Sequence, residues 1–137
     1  MFLIDTNVIS EARRGPRANV GVRDFLGAAD AEETFLAALT LGELRRGVEK
    51  VRYLGDVPQA QLLTQWLAHV EYSYSGRILS FDIDCAQAWG KLMVPNPQHP
   101  IDKQIAAIAL IHDLTVVTRN VADFAGTGVK LLNPFST

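Results

Sequence analysis

The chain has 137 residues, 48% of them hydrophobic and 20% charged, a balance that excludes a disordered tail and allows a single core, so residues 1–137 read as one domain. No apolar run approaches the roughly 20 residues of a bilayer-spanning helix. A lone cysteine and the lack of a basic, apolar leader point to the cytoplasm, while a formal net charge of −2 argues, at first sight, against a polyanionic partner.

Short apolar, β-rich runs recur at 2–4, 34–38, 78–81, 115–118 and 129–132, with helical periodicity between them. This alternation predicts a βαβα chain and a mainly parallel sheet flanked by helices. The first run ends abruptly on Asp5, Thr6 and Asn7, at the edge where open α/β folds bind ligands. Asp5 is placed to cap the helix in TNVISEARR. After FLAAL, the segment TLGE reads as a capping box between Thr40 and Glu43. Pro58 suits a helix start, and Leu62, Leu63, Trp66, Leu67 and Val70 then share one face. Behind ILSF, Asp82 or Asp84 caps the helix containing Trp89. Pro100 opens PIDKQIAAIALIH, in which Ile101, Ile105, Ile108 and Ile111 recur at helical spacing and Asp102 lies in the first turn.

In a parallel sheet, helices that follow strands begin at the strands' carboxyl ends, and helices leading into strands usually begin on the same side. Asp5 after the first strand, Glu43 after the second, Asp102 at the start of the helix before VVTRN and Asp123 after that strand are therefore expected at one edge. Each has a structural explanation as a cap or a helix-dipole partner. Four carboxylates brought together, however, repel one another unless they bind protons or a cation, and hard oxygen donors in that number suit Mg²⁺ or Mn²⁺. With four of the 15 acids on a metal, the 13 basic residues outnumber the rest. Those basic residues cluster as Arg13, Arg14, Arg17 and Arg45, Arg46, Lys50, Arg52, either as a rim for a polyanion or as solvated helix faces. Thr6, Asn7, Thr118 and Asn120 have the groups to orient water or the carboxylates, a use that competes with turns and caps. His69, His99 and His112 show no paired ligand spacing and read as surface or helix-end residues, and Cys85 as a small buried thiol.

FLIDTNVIS, LTLGELRRGVEK, PIDKQIAAIAL and VVTRNVADFAGTGVKLLNPF, in that order, resemble PIN-domain ribonucleases of the VapC toxin type. The resemblance covers nearly the whole chain and matches the metal-binding acids to Asp5, Glu43, Asp102 and Asp123. It implies a three-layer α/β/α fold, Mg²⁺- or Mn²⁺-dependent RNA hydrolysis, homodimerisation and inhibition by a small antitoxin protein.

Other readings compete. FDID is similar to the paired aspartates of haloacid-dehalogenase-like phosphatases, but Cys85 and Ala86 do not continue that motif. A phosphoacceptor receiver domain requires adjacent acids after the first strand, where Thr6 and Asn7 stand instead. An idle binding protein would use the same acidic cleft only to hold a partner's arginine.

Overall fold

The computed structural model describes residues 1–137. Five strands form one sheet: β1 (Phe2–Ile4), β2 (Thr34–Ala37), β3 (Ile78–Leu79), β4 (Thr115–Val117) and β5 (Leu131–Leu132). Their spatial order is β3-β2-β1-β4-β5 and every pairing is parallel. The six helices are α1 (Thr6–Ala12), α2 (Val20–Ala28), α3 (Ala38–Tyr53), α4 (Val57–Ser73), α5 (Ile83–Leu92) and α6 (Pro100–His112). No helix is long and apolar enough to cross a membrane.

Strand alternation divides the core in two. Leu3, Ala37 and Val116 pack on one sheet face with Cys85, Ile105, Ile108 and Phe124, while Ile4, Leu36 and Val117 pack on the other with Val8, Val22, Leu44, Val48, Leu67 and Val70. Both faces of the sheet are covered, which is why the strands read as continuous apolar runs and the fold has three α/β/α layers. The helical stripes are buried over only part of their length. Ile105 and Ile108 are fully enclosed whereas Ile101 and Ile111 are exposed, and on α4 Leu67 and Val70 are buried whereas Leu62 is exposed.

Two local expectations change. The edge strands β3 and β5 are two residues each, shorter than the apolar runs that announce them, because a strand paired on one side only is held by fewer ladder bonds. Helix α3 starts directly at Ala38, capped by no side chain, so Thr40 and Glu43 lie inside the helix and the expected capping box does not form. The Thr40 hydroxyl is buried without a partner, and Glu43 is free to point elsewhere.

Connections from β1 run one way to β2 and β3, and those from β4 run the other way to β5. The sheet therefore has a topological switch point between the carboxyl ends of β1 and β4, the position where a crevice opens in such folds.

Candidate metal centre

At that switch point the chain leaves β1 on Asp5, whose backbone N–H still bonds the Val117 carbonyl of β4 at 2.9 Å. The carboxylate is buried and accepts three hydrogen bonds. Oδ1 caps α1 through the Thr6 N–H at 2.8 Å, and Oδ2 takes the Thr118 hydroxyl at 2.8 Å and the Asn7 amide at 3.2 Å. Capping and site geometry are thus the same bonds. Burial is the main influence raising the Asp5 pKa, against the lowering effect of these three donors, with Asp123 adding a further upward push.

Glu43 reaches the same place from the second turn of α3, where its carboxylate accepts the Thr6 hydroxyl at 2.7 Å. Its pKa is raised, chiefly by burial and also by Asp5, while the Thr6 bond and the Arg46 charge act in the other direction. Asp102 stands in the first turn of α6. Burial first, then Asp5, Asp123 and Glu43, push its carboxyl from an ordinary 3.8 up to about 6, and His99 opposes the rise. Asp123 comes from the short turn Val121–Phe124 after β4. Four elements distant in sequence so deliver four carboxylates that act electrostatically on one another. This is a hard oxygen donor set with a repulsion that a divalent cation relieves, and its chemistry fits such an ion.

The surrounding polar groups differ in what they do. Thr6 bonds Glu43, while Asn7 donates to both Asp5 and the Thr118 hydroxyl and accepts the Arg119 N–H at 3.0 Å. Thr118 is fully buried and also accepts the Asn120 N–H at 3.0 Å. Asn120 joins through its backbone, and its side chain makes no hydrogen bond. Beside Glu43 lies a cleft of about 430 Å³ walled by Leu39, Phe81, Ile101 and Arg46. The basic residues divide: Arg14 pairs with Glu11, Arg45 and Arg52 pair with Glu49, and Arg46 stands free beside the acids.

His99 is the residue that spacing did not reveal. Its ring sits with Nδ1 3.8 Å from Asp102 and Nε2 3.8 Å from Asp123, whereas His69 and His112 are exposed away from the acids. The available signal was its position three residues before Asp102, at a helix entry. Asp82 caps α5 through the Cys85 N–H at 3.0 Å, and Cys85 is buried, both as the sequence suggests.

Residues 2–128 match the family model described as PIN domain. The chain belongs to the PIN-domain family. PIN-domain relatives include the toxin FitB of Neisseria gonorrhoeae, 34% identical with 98% of this chain and 99% of that protein covered. The VapC ribonuclease Y4jK of Sinorhizobium fredii is 30% identical, with 98% of each covered. Among solved structures, FitAcB from Neisseria gonorrhoeae superimposes with a TM-score of 0.86 at 34% identity, covering 98% of both chains. The receiver-domain and phosphatase readings fall with this membership.

The acids of this PIN domain make its metal-free stability depend on pH in an unusual sense. Because the folded Asp102 holds its proton up to about 6 and the unfolded one only to 3.8, the native state binds more protons between those values. Stability is then greatest below the unfolded value and falls as pH rises through about 6. Asp102 alone accounts for about 1 kcal/mol after allowing for solvent screening of a half-buried carboxyl. Melting in EDTA is expected at a higher temperature at pH 5 than at pH 8, a difference that excess Mg²⁺ shrinks or reverses. Equal EDTA melting temperatures would show that the acids do not strain the fold.

Proposed function

We propose that this chain is a single-domain, Mg²⁺- or Mn²⁺-dependent endoribonuclease and the toxin half of a type II toxin–antitoxin pair, acting in the cytoplasm. In this reading Asp5, Glu43, Asp102 and Asp123 hold the metal. The observation that carries it is the convergence of four mutually repelling carboxylates at the switch point of the sheet, with Asp102 pushed up to about 6. The names of FitB and Y4jK, a toxin and a ribonuclease, support the activity.

A divalent cation held by Asp5, Glu43, Asp102 and Asp123 would polarise a phosphoryl group and lower the pKa of water, the chemistry that phosphodiester hydrolysis requires. The chain's own part is positioning. Thr6, Asn7 and Thr118 fix Asp5 and Glu43 through neutral donors, so these carboxylates keep their orientation without losing their charge. Asn120, whose side chain is unengaged, is assigned to orienting water or substrate. Arg46 beside Glu43 supplies positive charge for the RNA backbone. The antitoxin is a small protein that inserts an arginine among the acids, with the apolar cleft of Leu39, Phe81 and Ile101 taking its neighbouring side chains. Homodimerisation is assigned to the α5–α6 side, where Val94, Leu110 and Ile111 are exposed.

The test is to express the chain alone, purify it, and offer it a pool of cellular RNAs with and without Mg²⁺ or Mn²⁺. Cleavage that requires metal, together with growth arrest relieved by coexpressing an adjacent small open reading frame, is the expected result. Metal-independent cleavage, or none under any metal, overturns the proposal.

A further inference from the structure

We propose that His99 is an additional protein ligand of the metal, donating a ring nitrogen that makes the site prefer a first-row transition cation such as Mn²⁺ over Mg²⁺. This inference rests on the carboxylate metal-site reading and adds to it a nitrogen donor and a selectivity. Three kinds of observation support it.

First, the imidazole faces the acids and makes no hydrogen bond, meeting Asp102 and Asp123 only at ion-pair distance. His99 is the residue from which α6 starts, yet its side chain makes no capping bond. The nitrogens lie 3.8 Å from Asp102 Oδ2 and from Asp123 Oδ1, too far for hydrogen bonds. One donor atom from each of His99, Asp102 and Asp123 falls within 4.8 Å of the others. Ligands about 2.1 Å from a shared ion stand roughly 3.0 Å apart when adjacent in an octahedron and roughly 4.2 Å when opposite, so either ring nitrogen, 3.8 Å from its own carboxylate, is within a small movement of sharing an ion with it.

Second, the backbone holds the ring there. His99 is left-handed, with φ 53° and ψ 55°, a conformation uncommon for residues other than glycine. It is anchored on both sides. The Trp89 indole donates to the Pro100 carbonyl at 3.1 Å, and the buried Lys103 ammonium donates to the carbonyl of Asn96. The Lys103 N–H also bonds the His99 carbonyl at 3.0 Å.

Third, the donor chemistry discriminates between ions. Mg²⁺ favours oxygen donors and retains water, whereas imidazole suits cations further along the first transition row. A set of carboxylates alone serves either ion. Adding one nitrogen shifts the preference.

The experiment uses chelator-stripped full-length protein as wild type, His99→Gly, His99→Asn and Asp123→Asn. Glycine and asparagine both tolerate the left-handed backbone, so α6 keeps its entry. Calorimetric titration with Mn²⁺ and with Mg²⁺ gives affinities, and pulsed electron paramagnetic resonance of bound Mn²⁺ reports directly coordinated nitrogen. Wild type is expected to bind Mn²⁺ more than tenfold more tightly than Mg²⁺ and to show a ¹⁴N coupling. Both His99 variants should lose about tenfold in Mn²⁺ affinity, change less than threefold toward Mg²⁺, and lack the coupling. A Mn²⁺-to-Mg²⁺ ratio unchanged in both variants, or a coupling that survives them, overturns the inference while leaving the carboxylate site intact. Wild type that takes up neither ion, or Asp123→Asn that binds both as wild type does, overturns the carboxylate site and this inference with it.

Discussion

Asp102→Asn is expected to raise the melting temperature of the metal-free protein while removing its nuclease activity. Asp102 has no hydrogen-bond donor holding it, and His99 stands 3.8 Å away, so an amide there leaves nothing mispaired. Its carboxyl is pushed up to about 6 even at a helix N-terminus, which means that burial and three neighbouring carboxylates outweigh the helix dipole. Removing the charge at pH 8 returns about 1 kcal/mol, or about 3 °C in Tm for a chain of this size. The metal response goes the other way. Mg²⁺ at a hundred times the wild-type Kd stabilises by about 2.7 kcal/mol, and a variant binding a hundredfold less tightly keeps about 0.4 kcal/mol. Cleavage of RNA should fall by at least about 100-fold, since even groups that only support ligands cost 10- to 100-fold. Melting curves in EDTA and in excess Mg²⁺, read beside the cleavage assay, check all three. Full activity, or an undiminished Mg²⁺ response, would take Asp102 out of the metal site.

Asp5→Asn should be as inactive but, unlike Asp102→Asn, less stable without metal. An asparagine keeps one oxygen for the Thr6 N–H, so the α1 cap survives. Its amide nitrogen then faces the Asn7 amide and the Thr118 hydroxyl, both of which donate to Asp5 in the native arrangement. Thr118 already accepts from Asn7 and from the Asn120 N–H, so it cannot take a third donor and is left with its own hydrogen unpaired. A buried mismatch of this kind costs about 1–3 kcal/mol, more than relief of charge repulsion returns. In EDTA the Asp5→Asn protein is expected to melt below wild type and Asp102→Asn above it. Asp5→Asn melting with or above Asp102→Asn would show that the hydrogen bonds around Asp5 are not what holds it.

That contrast marks what residue types alone convey. Asp5, Glu43, Asp102 and Asp123 are legible because strand ends and helix starts in a parallel sheet must share an edge, and β1, β2 and β4 lie close to the apolar runs that announce them. From the sequence, Asp5→Asn keeps a cap and loses a charge, and a neutral or stabilising change follows. The donors that reverse that expectation come from Asn7 and from Thr118, and the hydroxyl's direction depends on β4 lying beside β1, which is a matter of strand order and not of spacing. Glu43 reads as half of a capping box for the same reason: nothing in TLGE says that α3 has begun at Ala38. His99 escapes notice because its ring faces acids that come from α6 and from the turn after β4, and no histidine spacing encodes that.

The central position of β1 has a further consequence, for the timing of synthesis. In chain order β1 precedes the other strands and is also the middle of the sheet, and β4, its partner on the site side, begins at Thr115. Until Thr118 and Asp123 have emerged from the exit tunnel, Asp5 has neither its hydroxyl donor nor its last carboxylate neighbour. Pairing across so much intervening chain is also slow compared with local helix formation. A nascent chain short of that point carries Asp5, Glu43 and Asp102 without the assembled site. That interval separates the translating ribosome from the finished nuclease.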